Sequence, residues 1–374
     1  MSRHIVGMAM PLLAVGIGFP MAAQTILFGD VVVSTESGRL IHYSPGGERR
    51  QTAEAGQGEP TGSAFDHAGN LYVTSFGRGD VRKFDAELKS SIVFGSVHGR
   101  NPESVVFDSD GSLYVGAAQD ESDTSEAQIS RFSPTGVLLA TYKVARETRG
   151  ADWLDLARDQ RTIYYTSEGT AIKRFDVVAK VQAPDFTRAG TELYAIRILP
   201  DGGVLAANSS NVLLFDRAGK IVSKHLDGEA HGLFALNLDP DGVSYWTAEE
   251  AARGRVYRVK IASGEVLARF DVGEPVAGLS VRGERTESVS DSDFVPLEEG
   301  GGIVIGLCLG KRWWHYRKRR PPTAFGKQDP PHRRRQLADR GLAMRVEGGL
   351  FGGDAGAYRL SVRSKERIDS ERMI

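Results

Sequence analysis

The chain has almost no cysteine. Cys308 is the only one in 374 residues, so an intrachain disulfide is impossible, as are cysteine pairs for metal or redox chemistry. A Gly-x-Ser-x-Gly elbow, a metalloprotease His-Glu pair and a phosphate-binding Gly-Lys loop are also missing, which removes the strongest signatures of hydrolases, zinc proteases and nucleotide enzymes. Positive charge is scarce over most of the length. The formal net charge of −1 averages a tail from Gly301 onward, with 17 Lys+Arg against 7 Asp+Glu, and a body with 30 against 41. An acidic body argues against nucleic acid as its partner, because phosphate neutralisation needs clustered Lys and Arg.

Long apolar runs are few. The run from Ile5 to Phe19 follows Arg3 and His4 and precedes Met21-Ala22-Ala23. It is shorter than the ~20 residues that span a bilayer. It therefore reads as an export signal over residues 1–23, with cleavage before Gln24 and no cysteine there to take a lipid. The expected location is periplasmic, extracellular or on the cell surface, with a bacterial origin the natural inference.

What the chain does have is a repeat. Gly69-Asn70-Leu71-Tyr72-Val73 returns as Gly111-Ser112-Leu113-Tyr114-Val115, and weaker copies centre on Val32, Tyr164, Leu205 and Tyr245, at steps of 40, 42, 50, 41 and 40 residues. Each unit has an alternating apolar run, an Asp/Gly turn, and a second strand such as Ile163-Tyr164-Tyr165. A third strand ends in an aromatic, as in Val81-Arg82-Lys83-Phe84, and a Gly turn opens a fourth. Period-two alternation bounded by such turns is a strand-and-hairpin pattern. Four strands in ~40 residues is the size of a propeller blade. The first unit lacks its first strand, and Pro275–Val281 supplies one at the other end. The fold class expected is all-β, a six-bladed β-propeller over residues 24–284 whose first blade is completed by a C-terminal strand.

Residues 285–374 are different material, expected to form a disordered, low-complexity basic tail. Near 295–320 a short Pro motif, the glycine-rich apolar stretch Gly300–Gly310 and the basic run Lys311–Arg320 follow one another. This order resembles C-terminal sorting signals of the Pro-Glu-Pro type. An interaction tail and a non-native reading frame are the alternatives, and any membrane association would come through this segment.

Loops before the first strands and after the second strands of a propeller share one face around the central channel. The repeat places Glu59, Asn101, Gly150, Glu192, Gly232 and Glu274 before first strands, and Glu36, Glu168, Asn208 and Glu249 at second-strand ends. Converging carboxylates repel unless a cation neutralises them. Glu59, Asn101, Glu192 and Glu274 are therefore candidate ligands for Ca²⁺ or Mg²⁺, with solvated loop acids as the alternative. Glu36, Glu168 and Asn208 complete a candidate binding face for a small molecule or a protein. His231, beside Glu249, is a candidate acid–base pair, since a carboxylate can orient an imidazole that titrates near neutrality. Trp153, Trp246 and the recurring tyrosines read as packing residues.

The segments from Gly58-Glu59-Pro60-Thr61-Gly62 to Phe84-Asp85, and from Asn101-Pro102-Glu103-Ser104 to Phe132, resemble the six-bladed propellers of the NHL-repeat, gluconolactonase (regucalcin-like) and streptogramin lyase superfamily. That resemblance covers roughly Thr25 to Arg282. It implies either a binding module or a metal-dependent hydrolase or lyase at the channel mouth. Where the lactonases carry an Asn metal ligand, this chain has Arg149 in Arg149-Gly150-Ala151-Asp152-Trp153. Tyr245-Trp246-Thr247-Ala248-Glu249 is similar to the lyase Trp-Phe-Thr-Glu strand end, displaced by one residue, with His231 as its histidine. The expectations are an exported ligand- or protein-binding propeller, then a hydrolase or lyase, then a surface-anchored structural protein.

Overall fold

Strand-forming alternation is realised as six antiparallel four-stranded sheets in a propeller. The computed structural model describes residues 25–97, 101–118 and 127–288, with the backbone pairing of 307–308 and 313–314. The expected signal segment and most of the expected tail lie outside the described residues. The chain divides into two units, 1–296 and 297–374. Blade 1 contains β1 (Val31–Thr35), β2 (Arg39–Tyr43) and β3 (Arg49–Glu54); blade 2 contains β4 (Pro60–Phe65), β5 (Leu71–Ser75), β6 (Asp80–Phe84) and β7 (Ser91–Ser96). Blade 3 contains β8 (Asn101–Phe107), β9 (Leu113–Ala118), β10 (Ala127–Phe132) and β11 (Leu138–Val144). Blade 4 has β12 (Leu154–Leu156), β13 (Thr162–Tyr165), β14 (Ala171–Asp176) and β15 (Val181–Arg188). Blade 5 has β16 (Ile196–Ile198), β17 (Val204–Ala207), β18 (Val212–Phe215) and β19 (Ile221–His225). Blade 6 has β20 (Leu233–Leu238), β21 (Ser244–Glu249), β22 (Arg255–Lys260) and β23 (Val266–Asp271), after which β24 (Val276–Val281) returns to blade 1. In the second unit, β25 (Leu307–Cys308) pairs with β26 (Trp313–Trp314).

The ring closes as the repeat predicts. β24 pairs antiparallel with β1, aligning Val31 with Val281 and Val33 with Leu279, so two edges that would otherwise stay open are joined. Burial follows position along each blade. The inner strands β1, β5, β9, β21 and β24 are buried at every residue, whereas the outermost strand β23 alternates half-buried and exposed. The core lies between neighbouring sheets, as where Tyr72, Val81, Val105, Val115 and Phe132 pack together across blades 2 and 3.

The recurring second-strand aromatic has a fixed neighbour. Tyr72 faces Lys83, Tyr114 faces Arg131, Tyr164 faces Arg174 and Trp246 faces Arg258 across the sheet. In each pair the cation lies 5.0–5.8 Å from the ring centroid. In three of these blades the turn aspartate, Asp66, Asp108 or Asp239, pairs with the same cation at 3.6, 2.7 and 3.0 Å. An aromatic face below and a carboxylate beside a cation stabilise one another, at about 0.5–1 kcal/mol for each exposed cation–π contact. In blade 6 the aromatic is Trp246 and not Tyr245, because the turn after Gly242 is one residue longer than those after Gly69 and Gly111.

Polar clamps join the inner strands of adjacent blades. The Thr61 hydroxyl donates to the Pro102 carbonyl at 3.2 Å, the Ser104 hydroxyl donates to the Asp152 carbonyl, and Asp155 accepts the Ile198 N–H at 2.7 Å. At the end of the channel opposite the first-strand starts, Arg282–Ser288 crosses from blade 1. Glu284 accepts from Arg197 Nε at 2.7 Å, from the Leu238 N–H at 2.8 Å and from Asn237 at 2.8 Å. Gln160 donates to the Ser288 carbonyl at 2.8 Å. Glu284, the last residue of the expected propeller, thus ties blades 5 and 6 together, and Ser288 just past it reaches blade 4.

Near the axis the backbones come too close for side chains. A Cβ at Gly62 would sit 2.8 Å from Ser104 Cα and closer still to the Glu103 carbonyl oxygen. Because that obstacle is backbone, Gly62→Ala must push blades 2 and 3 apart. The expected cost is about 1–3 kcal/mol, seen as a lower denaturation midpoint with an unchanged m-value; an unaltered midpoint would contradict this packing.

Candidate functional site

At the face where first strands start, side chains from all six blades enclose a cavity of about 360 Å³. Ala277 comes from blade 1, Glu59, Thr61 and Phe76 from blade 2, and Glu103 from blade 3. Arg149 and Glu168 come from blade 4, Tyr194 and Ser209 from blade 5, and Gly232, Phe234 and Glu250 from blade 6. The propeller positions these groups by geometry alone: each stands at the start of a first strand, or where a second strand ends.

The charges are uneven. Among the described residues, four carboxylates line the cavity with one cationic side chain, Arg149. Arg149 Nη1 donates to Glu168 Oε1 at 2.6 Å, and Nη2 reaches Glu103 Oε2 at 3.9 Å. Its guanidinium also lies 5.7 Å from the Phe76 ring centroid. Burial opposes the charge on Arg149, but Glu103, Asp152 and Glu168 outweigh it and keep the guanidinium protonated. The Glu59 and Glu250 residues are exposed at the rim, while Glu103 is only 2% exposed. Burial, and then the neighbouring Glu168, Glu250 and Glu59 carboxylates, push the Glu103 carboxyl up against the pull of Arg149. Asp152 is raised for the same reasons, burial first and Glu103 next. Glu250 is raised by desolvation and by Glu36, Glu168 and Glu59. Among the described buried side chains, Glu103 Oε2 and both Asp152 carboxylate oxygens have no hydrogen-bond partner.

Glu59 and Glu168 share a second property. Their φ angles are 40° and 44°, in the left-handed region that costs a non-glycine residue about 1–2 kcal/mol. Glycine would occupy that conformation freely, yet both positions carry a carboxylate into the cavity.

The sequence candidates separate into two groups. Glu59 and Glu168 line the cavity, and Glu36 lies close enough to raise Glu250. The others are not part of the cavity lining. Glu192 accepts from the Tyr194 hydroxyl at 3.3 Å, and Glu274 pairs with Arg39 and Ser37, which hold its carboxyl below the usual range despite desolvation. Asn101 opens β8 opposite Ala118. Asn208 folds its own turn, accepting the Ser210 N–H at 2.7 Å and the Asn211 N–H at 3.0 Å. Glu249 Oε1 accepts the His231 main-chain N–H at 3.3 Å and the Tyr257 hydroxyl at 2.7 Å, while His231 itself is exposed. Among the described residues no group of three or more His, Cys, Asp or Glu is spaced to hold a metal ion. Sequence reasoning missed Glu103, Glu250 and the aromatic walls Phe76, Tyr194 and Phe234. Glu103 carried a signal: an acid inside a first strand, where the blade on one side has Thr61.

A raised carboxyl costs stability as pH rises. Glu103 keeps its proton in the folded chain where the unfolded chain has lost it, so stability falls between the ordinary carboxylate range and the raised value. Glu103→Gln removes that loss. The variant is expected to gain about 1–3 kcal/mol at pH 8 and almost nothing at pH 4.5, measured by thermal unfolding at both pH values. A lower melting temperature at pH 8 would show that the pairing with Arg149 outweighs the desolvation.

No family model and no curated protein matches the sequence. Among solved structures, a chain from the "Crystal structure of Nidogen/Laminin Complex" is similar to it with a TM-score of 0.55 and 10% identity, covering 68% of this chain and 98% of that one. At that identity the likeness speaks to the fold, which is a six-bladed β-propeller.

Proposed function

We propose that the protein is an exported binding propeller whose channel-mouth face receives a ligand or a segment of a partner protein. The observation that carries this reading is the mouth cavity, to which all six blades contribute and which combines aromatic walls with a few charged groups. Its volume is in the range of small-molecule pockets, and its five charged side chains give it more polar lining than most. The similar propeller was solved in a complex of nidogen with laminin, which supports a protein partner by analogy of fold alone. Export rests on the sequence of residues 1–23.

Binding needs only these rigid walls. Hydrolase or lyase chemistry at His231 would need its imidazole to work with Glu249, and the Glu249 carboxylate is held by the His231 main chain and Tyr257. The experiment is occlusion. Ser209 is exposed and lines the mouth, so Ser209→Trp fills the cavity without disturbing the core. Compounds and short peptides that raise the melting temperature of the full chain are expected to lose that effect in Ser209→Trp, with its own melting temperature unchanged. If no ligand found on the wild type is sensitive to this substitution, the mouth is not the binding site.

A further inference from the structure

Among the described residues the mouth carries more carboxylates than cations, and its most buried acid has a carboxylate oxygen that receives no hydrogen bond. Glu59, Glu103, Glu168 and Glu250 face a single Arg149, whose short contact is to Glu168 at 2.6 Å and whose approach to Glu103 is 3.9 Å. Glu103 is 2% exposed, lines the cavity, and has an Oε2 that receives no hydrogen bond. A buried acceptor without a donor is unfavourable, and Glu103 stands in the cavity wall, so an N–H group that enters the cavity supplies what this carboxylate lacks.

Resting on the binding reading above, we infer that the channel mouth takes an organic cation, a primary ammonium or guanidinium group at the end of an aliphatic chain. Its N–H groups reach Glu103, and its chain lies against Phe76, Tyr194 and Phe234.

Three features select this ligand class. The excess of carboxylates disfavours an anion. The acids do not form a metal-spaced group among the described residues, and Arg149 stands among them, whereas an ammonium or guanidinium needs only one or two carboxylates and tolerates a neighbouring fixed cation. The aromatic walls give an aliphatic chain apolar surface to lie against and give a hydrated metal ion no ligand. The depth matters as well. Glu59 and Glu250 are exposed at the rim and Glu103 is buried at the floor, so the cation must be carried on a chain that can enter.

A free diamine and a lysine or arginine side chain share this chemistry, and titration calorimetry distinguishes them. The full chain is titrated at pH 8 and low salt with 1,5-diaminopentane, with agmatine, with an end-capped Gly-Ser-Lys-Ser-Gly peptide, with the same peptide acetylated on lysine, and with CaCl₂. Saturable one-to-one binding of at least one amine or guanidine is expected, with none for the acetylated peptide. Tighter binding of a free amine than of the peptide assigns a small-molecule ligand, and the reverse assigns a protein side chain. Glu103→Gln is expected to weaken binding at least tenfold. The exposed pair Glu59→Gln/Glu250→Gln gives the same test if Glu103→Gln folds poorly, with a weakening of about threefold or more from lost attraction. Absence of saturation by every cation, indifference to both sets of substitutions, or Ca²⁺ binding abolished by Glu103→Gln without amine binding would overturn the inference. Ligands sensitive to Ser209→Trp but carrying no cation would leave the mouth as a binding site and sink the cationic assignment alone.

Discussion

Everything at the channel mouth depends on the pairing of β24 with β1. Without β24 the strand β1 would be the open edge of a three-stranded sheet, and blade 1 gains its innermost strand from the far end of the array. That pairing brings Gly278 against the Thr61 backbone, setting blade 1 against blade 2. It also places Ala277 in the cavity wall. The segment after β24 then crosses the opposite end of the channel, where Glu284 holds Arg197, Asn237 and Leu238 together. One strand exchange therefore closes the ring and leads into the seal at its far end.

Within that ring the blades repeat their structure and differ in their chemistry. The structural part is the cation placed over the second-strand aromatic, with the turn aspartate beside it in blades 2, 3 and 6. These groups lie away from the mouth and serve packing. The chemical part is where blades depart from each other. Glu103 enters the wall that Thr61 and Ala277 also form, and Arg149 stands before the fourth blade. Burying Glu103 and Asp152 together is unfavourable, as their raised carboxyls show. A fold with no use for this cluster would lose nothing by replacing it with apolar residues of similar volume.

The blade count, the strand order and the closing strand were legible because a 40-residue period and its missing first strand are one-dimensional facts. The site was legible in part. Equivalent repeat positions identified Glu59 and Glu168, which do meet at the cavity. The same logic nominated Glu192 and Glu274, which local partners divert: Tyr194 for the first, Arg39 and Ser37 for the second. Spacing tells how far along a strand a residue lies, but not which neighbour captures its side chain. Glu103 escaped because its position is a core one by periodicity, and its importance comes from the depth at which blades 3 and 4 enclose it. Phe76, Tyr194 and Phe234 are not among the recurring aromatics of the repeat, and only the closed ring brings them to one cavity.

The most direct test of the account is a crystal structure of the full chain soaked with 1,5-diaminopentane. One ammonium group is expected within hydrogen-bond distance of the Glu103 carboxylate, with the carbon chain against Phe76, Tyr194 and Phe234. A diamine bound elsewhere, or a mouth in which Arg149 moves to bond both Glu103 oxygens and leaves no space, would contradict it.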